Sequence, residues 1–140
     1  MESTIYNCSI LTLPKMHNRS GNITALNNWS DIPFEIQRVF YLYDIPSGET
    51  RGGHAHKESH QLIVAVSGSF DVTLDDGYNK RTVTLNRPNF ALHVIPKVWN
   101  NLSNFSSGAV CLVLASHQYD EDDYIRNYNN FKEIKNEYHK

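Results

Sequence analysis

The segment from Phe70 to Asp75 constrains this chain more than any other, because Phe70, Val72 and Leu74 alternate with Asp71, Thr73 and Asp75. A period of two sends successive side chains to opposite sides and gives a strand one buried and one wet face. Asp76-Gly77 then reverses the chain. Other apolar segments carry the same punctuation. His60 to Val66 runs to Ser67-Gly68-Ser69, Val83 and Leu85 keep the period up to Arg87-Pro88, and Ala91 to Ile95 stops at Pro96. Ile36 to Tyr43 is rich in aromatic and β-branched residues and ends at Asp44-Ile45-Pro46-Ser47-Gly48. Ala109 to Ala115 is apolar throughout, as a strand covered on both sides is. Strands spaced roughly 8–12 residues apart between turns predict an all-β sandwich or barrel. Only the tail changes period. Tyr124, Tyr128, Phe131 and Ile134 recur three or four residues apart behind the acidic stretch Asp120 to Asp123, which predicts a short C-terminal helix with that stretch at its N-terminus.

A chain of 140 residues fits a single domain, 1–140. Thirteen basic against fifteen acidic side chains give a formal net charge of -2, too balanced for affinity built on counterion release from nucleic acid or anionic lipid. Any anionic ligand must be met locally. The longest apolar run, Ala109 to Ala115, is far short of the roughly 20 residues that cross a bilayer, and the N-terminus lacks a basic region followed by an apolar one. A cytoplasmic protein without membrane or nucleic-acid partners is expected. Cys8 and Cys111 sit in unrelated contexts, which offers neither a disulfide scaffold nor a zinc knuckle and makes Cys111 a core residue.

The densest polar cluster is Arg51-Gly52-Gly53-His54-Ala55-His56, followed by Lys57-Glu58-Ser59-His60-Gln61. On a strand, His54 and His56 share a face about 6.5–7 Å apart, within reach of neighbouring atoms of one small ligand. Gly-Gly ahead of them permits close backbone approach, and Arg51 supplies a fixed positive charge for a phosphate or carboxylate. Imidazoles with an ordinary pKa near 6.5 suit general acid–base chemistry.

The spacing His-x-His, four residues, Gln61, six residues, Gly68 resembles the first motif of the cupins, jelly-roll barrels that usually carry Glu where this chain has Gln61. Their second motif, a Pro-led turn and a further His, is matched by Pro96-Lys97-Val98-Trp99-Asn100 with Asn100 in the His position. Two imidazoles and two carboxamides lack the anionic ligand of the usual two-His-one-carboxylate site, so no metal is expected. The acidic stretch Asp120 to Asp123 is read as capping and solvation rather than as a metal site.

Four segments in order resemble the sugar 3,4-ketoisomerases of bacterial deoxysugar pathways. They are Ile32 to Tyr41, Arg51 to Lys57, Pro96 to Trp99, and Ala115-Ser116 through Tyr119 to Arg126. The resemblance implies a cupin-type jelly-roll barrel and the shift of a carbonyl from C4 to C3 of dTDP-4-keto-6-deoxyglucose without a metal or cofactor. It also implies a homodimer. On this reading His54 and His56 are catalytic, with the larger share of proton abstraction given to His56. Arg51 and Arg126 match the arginines of the family pattern and bind the pyrophosphate, while Asn100, where relatives commonly have His, is either a contact to an oxyanion or hydroxyl or a purely structural turn residue. Tyr41 is a further substrate contact, and Arg38 is weighed beside it. Trp99 is read as core before thymine-stacking, and His17, His60, His93, His117 and His139 as structural or surface residues. The rival readings are a nucleotide-sugar 3,5-epimerase, a sugar-binding cupin without catalysis, and a metal-dependent dioxygenase.

Overall fold

The computed structural model describes residues 3–137. Its strands are β1 (Ile10–Thr12), β2 (Met16–Asn18), β3 (Gly21–Ile23), β4 (Arg38–Leu42), β5 (Arg51–His56), β6 (Gln61–Ser67), β7 (Phe70–Asp75), β8 (Lys80–Leu85), β9 (Phe90–Val94), β10 (Trp99–Ser103), β11 (Val110–Ala115) and β12 (Tyr124–Ile125), followed by helix α1 (Tyr128–Glu137). One five-stranded sheet runs in the order β1-β9-β6-β11-β4 and the other in the order β12-β5-β10-β7-β8, while β2 and β3 form a separate hairpin. All the ladders are antiparallel. Among the described residues no ladder joins the two large sheets, so the jelly roll is an open sandwich with free edges rather than a fully closed barrel.

The period of two sorts the core. Phe70, Val72 and Leu74 of β7 are fully buried and meet Ile63, Leu92, Cys111 and Val113 of the facing sheet. Strand β6 is buried on both faces, because Leu62 and Val64 point the other way into a second cluster with Leu13, Ile32, Phe34 and Leu114. Strand β11 likewise contributes to both clusters, as its unbroken apolar sequence requires.

The tail departs from the sequence expectation. Glu121–Asp123 is a turn of 3-10 helix capped by Asp120, Tyr124 belongs to β12, and α1 begins only at Tyr128. Pairing of Tyr124 with His56 and Ile125 with Ala55 holds that stretch in the sheet, and the side chain of Asn127 caps the helix through Asn130 N at 3.0 Å. Phe131 then packs with Trp99, Ala55 and Ile125 in a third cluster on the outer side of β5 and β10. Trp99 is therefore core, and it does not face the site described below.

Asp76 fastens the N-terminal segment to the β7–β8 turn. Its buried carboxylate accepts from Ile5 N at 3.0 Å, Tyr78 N at 2.9 Å and Asn79 N at 2.8 Å, and these amides hold its pKa below the usual carboxylate range against the opposing effect of burial. The buried Lys135 of α1 donates to the carbonyls of Lys97 and Ser3.

Gly68, between β6 and β7, has φ +67, and a Cβ there would strike Ser106 Oγ and lie 2.9 Å from Ala109 Cα. Both the left-handed backbone and the missing side chain are needed. Gly68→Ala is expected to lower stability by about 2 kcal/mol or more, read from urea unfolding, and an unchanged midpoint would contradict this packing.

Candidate active site

Strand β5 sits between β12 and β10, with Asn100 paired to His54 and Asn101 to Gly52 across an irregular step in the ladder. Gly52 and Gly53 have φ +92 and +73, and a Cβ on Gly52 would lie 3.1 Å from Asn100 O. The Gly-Gly pair thus serves close approach to β10, where the sequence reading had it approach a ligand. Beyond the irregularity the strand is regular, and the two imidazoles share the inner face with ring centroids 5.0 Å apart.

That face opens on a cavity of about 360 Å³. Its walls include His54, Asn100 and Gln61, with Phe40, Ile63 and Val113 as an apolar floor. Arg38, Arg51 and Arg126 also line it. Arg51 stands exposed at the start of β5. Arg126, about half exposed, holds Glu121 through two contacts of 2.5 and 2.9 Å and lies over the Tyr124 ring. Arg38 donates to Tyr124 Oη at 2.8 Å. Asn100 is buried, with Nδ2 directed at His54 O at 3.5 Å.

His56 lies one step deeper and is 5 % exposed. Its Nδ1 contacts Asp123 Oδ2 at 2.9 Å, and the carboxylate is itself fixed by the amides of Glu58 at 2.8 Å and Ser59 at 3.3 Å. A carboxylate at Nδ1 keeps the proton on that nitrogen and leaves Nε2 as the acceptor. The Nε2 atoms of both His54 and His56 are buried and have no hydrogen-bond partner. Burial lowers the pKa of His56 while Asp123 opposes the drop. His54 falls to about 4, first through burial and then through the nearby positive charge of His56 and the arginines. Both rings are neutral at cellular pH, with a lone pair available.

The structure brings His54, His56, Arg51, Asn100 and Arg126 together, and it leaves Tyr41 outside. Tyr41 lies on the opposite face of β4 from Arg38, 60 % exposed and stacked near Tyr43, because residues three apart on a strand cannot share a face. Arg38 takes the inward place. His60 and His93 contact each other at 2.9 Å beside Phe34 on the far side of the first sheet, His117 meets Ser116, and His17 belongs to the β2–β3 hairpin. His139 lies outside the described residues. Sequence reasoning missed Asp123 because it stands in a run of four acidic residues, and only the β5–β12 pairing singles it out.

A divalent ion does not fit this donor set. The carboxylate nearest the imidazoles is engaged with His56 Nδ1, and the remaining donors of the cupin pattern are the neutral amides of Gln61 and Asn100. Neutral imidazoles in an arginine-lined jelly-roll cavity suit proton transfer on an anionic ligand, the chemistry of an isomerase. The profile of the FdtA family (WxcM-like, C-terminal) matches residues 6–136. A TDP-4-oxo-6-deoxy-alpha-D-glucose-3,4-oxoisomerase of Aneurinibacillus thermoaerophilus is 44% identical over 123 residues, 88% of each chain. A 3,4-ketoisomerase from Helicobacter canadensis superposes with a TM-score of 0.90 at 42% identity, covering 93% of this chain and 98% of its own. QdtA of Thermoanaerobacterium thermosaccharolyticum, a sugar 3,4-ketoisomerase solved with TDP, gives 0.94 at 35% identity over 96% and 98%. A histidine-to-asparagine variant of QdtA has been solved with TDP-4-keto-6-deoxyglucose. The chain belongs to the FdtA family of sugar 3,4-ketoisomerases.

The depressed His54 pKa has a consequence for stability. The unfolded chain takes up a proton at this ring near pH 6.5, which the folded chain refuses until about 4. Stability from this group is therefore complete above pH 6.5 and is lost as pH falls through that value towards 4. Unfolding midpoints measured from about pH 7.5 to about pH 4.5 should fall less steeply in His54→Asn than in the wild type, and equal slopes would refute the shift.

Proposed function

We propose that the chain converts dTDP-4-keto-6-deoxyglucose into its 3-keto isomer by proton transfer through an enediolate. The observation that carries this reading is the neutral, unpaired Nε2 of His54 at an arginine-lined cavity, with the equally unpaired Nε2 of His56 behind it on the same strand face. A C4 ketone acidifies the C3 hydrogen, and a base that removes it leaves an enediolate shared by C3 and C4. A proton delivered to C4 then completes the carbonyl shift.

Of the two rings, only His54 lines the cavity, and we assign it the abstraction at C3 and the return of a proton to C4. This reverses the weight that the sequence gave to His56. His56, held by Asp123, carries the proton that leaves the C3 hydroxyl to the C4 oxygen, and the carboxylate stabilises the imidazolium formed on the way. Arg51 and Arg126 take the pyrophosphate through charge-assisted bonds, and Asn100 contacts a sugar hydroxyl.

Two copies pair through the outer face of the first sheet, where the edge strand β4 leaves Val39 and Tyr41 exposed. Tyr41 acts in that contact rather than on substrate. The buried free thiols of Cys8 and Cys111 suit the reducing cytoplasm, where we place the enzyme. No helix among the described residues is long and apolar enough to cross a membrane.

Proton NMR in deuterated water tests the reaction. A ketoisomerase labels C4 as the carbonyl moves, an epimerase exchanges C3 and C5 with the C4 ketone kept, and a sugar sensor incorporates nothing. His54→Asn and His56→Asn should each lower kcat by about 10²–10⁴ without loss of folding, and near-normal rates in either would remove that ring from the mechanism. Arg51→Ala should raise KM about tenfold or more with little change in kcat, whereas an unchanged KM would deny it the pyrophosphate.

A further inference from the structure

We propose that Gln61 is a catalytic residue whose side-chain amide donates a hydrogen bond to the C4 oxygen as that oxygen becomes anionic. The inference rests on the ketoisomerase reading and gives a role to a group that this reading leaves idle. Gln61 opens β6 between Val94 of β9 and Ala115 of β11, and Ala115 in turn pairs with Arg38. Gln61 and Arg38 therefore face the same cavity, which both of them line.

Gln61 is only 3 % exposed, yet its Nε2 has no hydrogen-bond partner. Buried amides are almost always paired, so an unpaired one at a cavity wall marks a place that a ligand completes. The other buried side-chain nitrogens without a partner among the described residues are Nε2 of His54 and Nε2 of His56, the two groups already assigned to moving protons. All three unsatisfied atoms belong to the inner side of β5 and the facing first residue of β6.

The chemistry favours a neutral donor at this point. Removal of the C3 proton by His54 transfers the electron pair of the C3–H bond into the new C3–C4 double bond and places negative charge on the C4 oxygen. That charge leaves the C4 oxygen when the proton relayed by His56 from the C3 hydroxyl reaches it, passes to the C3 oxygen, and disappears when C4 is protonated and the C3 carbonyl forms. An uncharged N–H binds the ketone oxygen weakly and the anionic oxygen strongly, so it lowers the barrier instead of trapping the substrate. Asn100, the other carboxamide of the wall, already directs its Nδ2 at the His54 carbonyl.

The test is steady-state turnover of dTDP-4-keto-6-deoxyglucose by wild type, Gln61→Glu and Gln61→Met, with unfolding curves for each. Gln61→Glu keeps the shape while replacing the donor with an acceptor, and Gln61→Met removes it without adding charge. The expected result is a fall in kcat of about 10²–10³ with KM changed less than about threefold, and a parallel loss of C3 deuterium exchange. Folded variants that keep more than about a third of the wild-type kcat, or that lose only KM, overturn the donor role. Failure of both variants to fold makes Gln61 structural and also overturns it. A wild type that leaves this substrate unchanged brings down the ketoisomerase reading itself, while wild-type turnover beside undiminished variants brings down only the Gln61 assignment.

Discussion

The contact between His56 and Asp123 fixes the deeper of the two imidazoles on the inner face of β5. Two imidazoles on one buried strand face repel when both are charged, and burial disfavours the charged form of each. Asp123 removes the ambiguity by fixing one tautomer on His56, and it can do so only because the amides of Glu58 and Ser59 hold the carboxylate in place. The short strand β12 follows directly after Asp123 and pairs with β5, so a two-residue ladder positions the partner of the deeper ring. A metal-binding cupin would orient its histidines by coordination. Here a carboxylate and a sheet edge do that work.

Much of this was legible from residue order. Alternation placed β7, β8 and the β6–β7 turn, and the unbroken apolar runs marked β6 and β11, because burial on two faces leaves no polar positions. The His-x-His spacing located the imidazoles for the same geometric reason. Other features depend on contacts between distant segments. The sequence Trp99-Asn100-Asn101-Leu102 has no strong strand signature, yet it forms β10 because β5 and β7 lie on either side of it. Tyr124 fits a helical stripe as well as it fits a strand, and only pairing with His56 decides between them. Tyr41 and Arg38 were separable in principle, since their odd spacing forbids a shared face, but the choice of which one points inward belongs to the facing sheet.

The two large sheets divide the labour. The first, around β6 and β11, is apolar on both faces and provides the floor of the cavity. The second supplies the two imidazoles, and helix α1 covers its outer side through Phe131 against Trp99. Mobile charge is kept to the mouth, where Arg126 is committed to Glu121 before any ligand arrives. An anionic ligand would therefore meet a field already partly neutralised, which loosens its hold and eases its release.

Lys135 gives the molecule an unusual seam. Its ammonium bonds the backbone of Ser3 and of Lys97, while Asp76 grips Ile5 a few residues along. The two ends of the described chain thus meet at one patch, where Lys135 of α1 bonds Ser3 and Asp76 bonds Ile5. Detaching the N-terminal segment would take one bond from the buried Lys135 ammonium and one from the buried Asp76 carboxylate, so the anchoring of helix α1 and of the β7–β8 turn both draw on that segment.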